Sequence, residues 1–176
     1  MLASGCPSEP APSSNPAEIE TTAFLDTLQA RTFRFFWELT DPATGLAPDR
    51  APTESFASTA ATGFALTAYP IGVERGYVSR EAACERVLTT LEFFWESPQG
   101  PAEQGSTGYR GFYYHFLEPR TGHRFKTVEL STVDTALLLA GAFFCQSYFD
   151  RDTPAESRVR SLADSLYYRV DWQWAS

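Results

Sequence analysis

Lysine is almost missing from this chain: of its 14 basic residues 13 are Arg, and Lys126 stands alone. Basic charge as a whole is scarce, and 22 Asp and Glu leave a net charge of −8. With no basic stripe to gather phosphates, nucleic acid is excluded as the expected partner. Cysteine is equally sparse. Three residues are too few for a disulfide scaffold and show no CxxC spacing for zinc. Cys84 and Cys145 fall inside helical apolar patterns and read as buried free thiols. No His/Asp/Glu spacing suggests a metal, no glycine loop would cradle phosphate, and no Ser-His-Asp signature occurs. The expectation is a protein with no cofactor and no metal. No run of 18 apolar residues exists either, so nothing in the sequence reads as a membrane-spanning helix.

What is plentiful is aromatic surface: 14 Phe, 8 Tyr and 4 Trp make 15% of the 176 residues. Such rings suit helix packing or stacking on carbohydrate. The length allows one domain with a real core and hardly two. Residues 1–18 stand apart from the rest. Ala3-Ser4-Gly5-Cys6, followed by a Pro- and Ser-rich run, reads as a disordered tether. Small residues before a cysteine are also the end of a bacterial lipoprotein signal, so Cys6 is a candidate lipidation site. The charged and apolar regions of such a signal are not in the sequence. On this reading the protein is a periplasmic or outer-membrane lipoprotein that touches the membrane only through Cys6.

From residue 19 onward the pattern is helical. Phe24, Leu28, Phe35 and Leu39 keep the spacing of an amphipathic helix over 18–39, ended before Pro42. Ser58 caps a second helix over 59–74 that is rich in Ala and Gly, with Gly76 beyond its end. Ser79 opens a third over 80–96. The period then changes, and 111–117 with 123–127 reads as an inserted β-hairpin around Pro119 and Gly122. Ser131 caps a fourth helix over 132–149, apolar on nearly every side and so expected to be buried on every side. Thr153-Pro154-Ala155-Glu156 has the form of a capping box opening a fifth helix to residue 169.

The helices repeat. Phe35-Phe36-Trp37-Glu38 closes the first and Phe93-Phe94-Trp95-Glu96 the third, while Ser58 and Ser131 open the two small-residue helices 73 positions apart. Amphipathic and apolar helices alternate, which is the pattern of an α/α toroid or solenoid.

The motifs carry a resemblance. Thr32-Phe33-Arg34-Phe35-Phe36-Trp37-Glu38, Gly45-Leu46-Ala47-Pro48-Asp49-Arg50 and Ala60-Ala61-Thr62-Gly63-Phe64 resemble the bacterial glycoamylase-like family. So do Arg110-Gly111-Phe112-Tyr113-Tyr114-His115-Phe116, the run from Glu129 to Leu138, and Asp171-Trp172-Gln173-Trp174. That family includes β-1,2-glucan-hydrolysing enzymes and a domain of cyclic β-1,2-glucan synthases. The resemblance implies an all-α (α/α)6 toroid with its sugar cleft at one end of the inner barrel. About five helices are present, so the chain is expected to be a partial toroid, the N-terminal portion of a truncated domain. Unburied helix flanks would then favour self-association.

Glycoside hydrolysis needs two carboxyls, roughly 5–5.5 Å apart for retention and 6.5–9.5 Å for inversion. Glu129 and Asp134 are the best-placed catalytic candidates. Five residues turn a helix through roughly 140°, so they cannot share a helix face. Glu129 precedes the cap, however, and is free to fold over the helix end. Asp134 also has the plain role of an N3 residue opposite the Ser131 cap. Asp49 and Arg50 are candidates for a pair that steers sugar hydroxyls, or that merely fixes the loop. Tyr113, Tyr114 and His115 are candidate cleft liners, with Tyr113 and His115 on one side of a strand and Tyr114 on the other. The expected function is a glucan-acting glycoside hydrolase, an enzyme if the full barrel is present. The alternative is a non-catalytic α/α module that binds sugar or protein.

Overall fold

The computed structural model describes residues 16–175, with side chains from Glu20 onward; Cys6 and the Pro-rich run lie outside the described residues. Five helices and five short strands follow one another: α1 (Pro16–Leu39), β1 (Ala57–Ser58), α2 (Thr59–Glu74), α3 (Arg80–Glu96), β2 (Gly108–Tyr109), β3 (Phe112–Tyr114), β4 (Phe116–Leu117), β5 (Leu130–Ser131), α4 (Thr132–Tyr148) and α5 (Pro154–Arg169). The fold class is all-α with small sheets attached, a partial α/α toroid. Residues up to Thr32 form one unit and those from Phe33 a second. In the first unit Phe24, Leu25 and Leu28 are exposed, so the apolar stripe read there is surface and not core.

In the second unit α2 and α4 lie directly against each other. A side chain at Gly63 would reach within 2.4 Å of the Leu137 carbonyl oxygen, and one at Gly141 within 2.3 Å of the Gly63 carbonyl oxygen. The missing Cβ atoms at these two positions are what let the backbones touch. Around that contact Leu66, Tyr69, Val87, Leu91, Phe94, Leu138 and Leu162 are wholly or almost wholly buried. Cys84 and Cys145 are free and buried, as their apolar settings predicted. The Cys145 thiol donates to the Leu66 carbonyl at 3.1 Å, a further link between α2 and α4.

The serine caps form as the sequence indicates: Ser58 accepts from the Ala61 N–H, Ser79 from Ala82 and Ser131 from Asp134. One expectation needs correction. The apolar helices are not buried all round, since Phe64 on α2 and Val133 and Phe144 on α4 are exposed on flanks that no described element covers. The inserted hairpin forms, with Glu118 N–H donating to the His123 carbonyl at 2.8 Å and Phe125 N–H to the Phe116 carbonyl at 3.0 Å, and its strands also find other partners. Leu117 and Arg124 make a single bridge, β4 pairs with β1 and β3 lies between β2 and β5. Left-handed Arg110 and Gly111 make the tight turn from β2 to β3, the geometry that a two-residue hairpin demands. Hairpin partners in sequence are therefore joined by partners that the helices bring together.

The capping box at α5 is only half formed. The Thr153 hydroxyl accepts from the Glu156 N–H at 3.2 Å. The Glu156 carboxylate, however, turns to Arg80 on α3, with Nε–Oε1 at 2.8 Å and Nη2–Oε2 at 2.9 Å, and it also accepts from the Arg151 N–H at 2.7 Å. This bidentate, nearly solvent-free pair ties α3 to α5, and the Arg80 hydrogen bond holds the Glu156 carboxyl below its ordinary range. Glu156 thus adds stability above its unfolded pKa, lost as pH falls through the lower folded one. Replacing Glu156 by Ala removes its hydrogen bonds to Arg80 but leaves the guanidinium on the Tyr148 carbonyl and the Asp150 carboxylate. We expect a loss of about 1.5–3 kcal/mol in urea unfolding at pH 7, with a smaller difference from the parent as the pH drops below 4 or so.

Candidate active site

The inner helices α2 and α4 begin at the same end, because β1 leads into one, β5 into the other, and β3 and β4 lie between. β3 presses into the core instead of lining an open face. Tyr113 is 1% exposed and its hydroxyl donates to the Phe94 carbonyl at 2.9 Å, while its ring meets Phe94 edge to face. Tyr114 is also buried, under the Arg124 guanidinium 4.6 Å from its ring. Successive side chains of β3 face opposite ways, and both faces are covered. Tyr113 and Tyr114 are thus packing groups whose ring faces are already taken.

His115 is different. It follows the last residue of β3, its N–H donates to the Glu129 carbonyl at 3.0 Å, and its ring stays half-buried. Nδ1 lies 2.7 Å from Glu129 Oε1 and Nε2 lies 3.7 Å from Asp134 Oδ1. One imidazole therefore stands between the two candidate carboxylates, joining residues that helix geometry alone keeps apart. Asp134 is buried at N3 of α4, where its N–H donates to the Ser131 hydroxyl and that hydroxyl donates back to Asp134 Oδ2. It fills the capping role and still offers its other oxygen to His115. Glu129 remains largely exposed. Its own backbone N–H, and after it the His115 imidazole, hold its carboxyl below the ordinary value.

A column of rings runs on from His115. Its ring stacks on Phe116 at 3.8 Å, Phe116 meets Phe56 at 4.0 Å, and Phe56 meets Phe125 at 4.9 Å. At the far end the Arg50 guanidinium sits 5.5 Å over the Phe56 ring. Arg50 and Asp49 approach through one N–O contact of 3.6 Å, so they are not the bidentate fork the dipeptide suggested. The site residues read from the sequence thus fall into three places. Glu129, His115 and Asp134 meet, Asp49 and Arg50 stand beyond the ring column, and the two tyrosines are internal. Phe56, Phe116 and Phe125 escaped the sequence reading. Phe56 is in a loop and Phe116 in a two-residue strand, and only the pairing of Ser58 with Phe116 brings them side by side.

An alternating α/α array, with Asp134 in the first turn of one inner helix, defines a segment of an α/α toroid. The chain is similar to an exo-β-1,2-glucooligosaccharide sophorohydrolase (non-reducing end) of Parabacteroides distasonis, 30% identical over 159 residues. The match takes in 85% of this chain and 20% of that relative, so the chain spans about a fifth of the curated protein. Among crystal structures it resembles a β-1,2-glucanase from P. distasonis (TM-score 0.76, 28% identity, 87% of this chain and 22% of that one). It also resembles a glucoamylase-like protein from Bacteroides uniformis (TM-score 0.74, 27% identity, 93% and 38%). No family model matches the chain. Its homologues are β-1,2-glucan hydrolases and glucoamylase-like proteins, as the motifs implied.

The hydrogen bond from His115 predicts a titration effect. In a His115→Ala variant the Glu129 carboxyl, followed by carbon-detected NMR, should titrate at higher pH than in the parent. It should not return fully to the ordinary value, because the larger contribution, from its own N–H, remains.

Proposed function

We propose that this chain provides part of the active-site end of a glycoside hydrolase-like domain acting on glucan, with β-1,2-linked glucan as the substrate. The observation that carries this reading is the single imidazole held between Glu129 and Asp134 at the mouth of an inner helix. The likeness to proteins named for β-1,2-glucan hydrolysis supports it. Glu129, exposed and held ionised, suits the base or nucleophile that glycoside hydrolysis requires. Asp134 is the carboxyl within this chain that faces the same imidazole, and His115 fixes the spacing between them. The 2.7 Å hydrogen bond from His115 to Glu129 and the 3.7 Å approach of Asp134 to the other ring nitrogen put the two carboxyls on opposite sides of one imidazole.

The test is release of reducing sugar from β-1,2-glucan, by this chain and by a longer form extended to the length of its relatives. We expect turnover in the longer form and a loss of about a hundredfold or more on Glu129→Gln. Undiminished turnover in that variant would sink the role of Glu129. Glucan binding without turnover in either form would make the chain a non-catalytic sugar-binding module.

We further propose that Cys6 carries a lipid, which would place the protein in the periplasm or on the outer membrane. Ala3-Ser4-Gly5 before it and the Pro/Ser run after it support this. Palmitate labelling in a bacterial host should mark the chain and vanish in Cys6→Ser.

A further inference from the structure

The loop from α1 to β1 borders two hollows, of about 390 and 350 Å³, and Arg50 lines both. The base of the loop is pinned. Asp49 N–H donates to the Phe56 carbonyl at 3.0 Å, Ser58 N–H to Ala47 at 3.0 Å, and Ala47 N–H to the Thr62 hydroxyl at 3.1 Å. The hollows are therefore held by the fold and keep a fixed relation to α2.

Their lining selects a kind of ligand. Arg50 is the one cation among the wall residues, against Glu38, Asp41 and Glu54 in the first hollow and Glu54 and Glu118 in the second. Such a surface repels phosphates and carboxylates. A bound cation is not favoured either, since among the described residues no three His, Cys, Asp or Glu side chains gather to hold a metal. The rest of the wall mixes hydroxyls with apolar groups: Thr40, Thr53 and Ser55 with Pro48, Pro52 and Pro119 in the first hollow, and Ser55 with Pro119 and the edges of Phe56 and Phe125 in the second. A neutral ligand with hydroxyls around its edge and C–H groups on its faces matches all three features. Carboxylates accept from its hydroxyls, the guanidinium donates to them, and prolines cover its faces.

Position ties this ligand to the carboxylates. Phe56, in the wall of the second hollow, is two rings from His115 in the column through Phe116. Arg50 is aimed by lying over the Phe56 ring. A sugar chain crossing from Glu129 and Asp134 over the edges of Phe116 and Phe56 arrives at Arg50 after a few units.

We propose that the hollows on either side of Arg50 form a distal glucosyl subsite. Glu54 and Glu118 take the sugar hydroxyls there, and Pro119, which lines both hollows, its apolar face. This rests on the glucan reading above. The test is calorimetric titration of the chain with β-1,2-linked disaccharide and hexasaccharide, for the parent and for a Glu54→Ala/Glu118→Ala variant. Both glutamates are exposed, so the variant should keep the parent's circular dichroism. The parent should bind the hexasaccharide more tightly than the disaccharide. The variant should lose about tenfold for the hexasaccharide, as expected for lost hydrogen bonds to charged groups, and nothing for the disaccharide. If the hexasaccharide binds parent and variant equally, the subsite is overturned while the glucan reading stands. If the parent binds neither sugar, the subsite is overturned, and the glucan reading is decided separately by turnover in the longer form.

Discussion

The contact of α2 on α4 through Gly63 and Gly141 is the constraint on which the rest depends. Backbone meets backbone there, with no side chain between, so the spacing of the two helices is set within narrow limits. Each of these helices opens on a serine cap preceded by a two-residue strand, Ala57–Ser58 and Leu130–Ser131. Fixing the helices fixes both strands, and both strands fix the stretch from 112 to 117 that pairs with them. His115 lies inside that stretch. Two glycines near the middle of the helices thereby govern where an imidazole sits at their mouth.

A division of labour among charged groups follows. The Arg80–Glu156 pair is buried and joins outer helices, so its task is structural and its exposure to ligand negligible. Glu129 and Arg50 are surface groups, held loosely enough to meet a ligand yet aimed by neighbours, His115 in one case and Phe56 in the other. Asp134 combines both kinds of duty. Its N–H and one oxygen complete a helix cap, which anchors the other oxygen toward His115. The cap and the approach to His115 are compatible because a carboxylate has two oxygens and the cap needs only one.

Much of this was legible in the residues. The helix starts at Ser58, Ser79, Ser131 and Thr153 followed from one rule, that the first N–H groups of a helix need an acceptor. The free, buried state of Cys84 and Cys145 followed from their apolar settings. The tyrosines misled for an instructive reason. Alternation sends Tyr113 and Tyr114 to opposite faces of β3, and both faces are covered, so both disappear into the core. The exposed Phe64, Val133 and Phe144 misled in the opposite way, since an apolar helix declares that it wants a partner and not that it has one.

By itself, then, the sequence determined the elements: where helices begin, which are amphipathic, where the periodicity breaks, and which motifs resemble known glucan hydrolases. These are local properties, set by hydrogen-bond supply at helix ends and by the spacing of apolar residues over one or two turns. Only the tertiary structure decided the juxtapositions. That His115 bridges Glu129 and Asp134, that Phe56 stacks on Phe116 across 60 positions, and that Glu156 leaves its own cap for Arg80 depend on pairings between segments far apart in the chain. Such pairings are chosen by which surfaces fit once the two inner helices have closed on their glycines, and no local pattern encodes that choice.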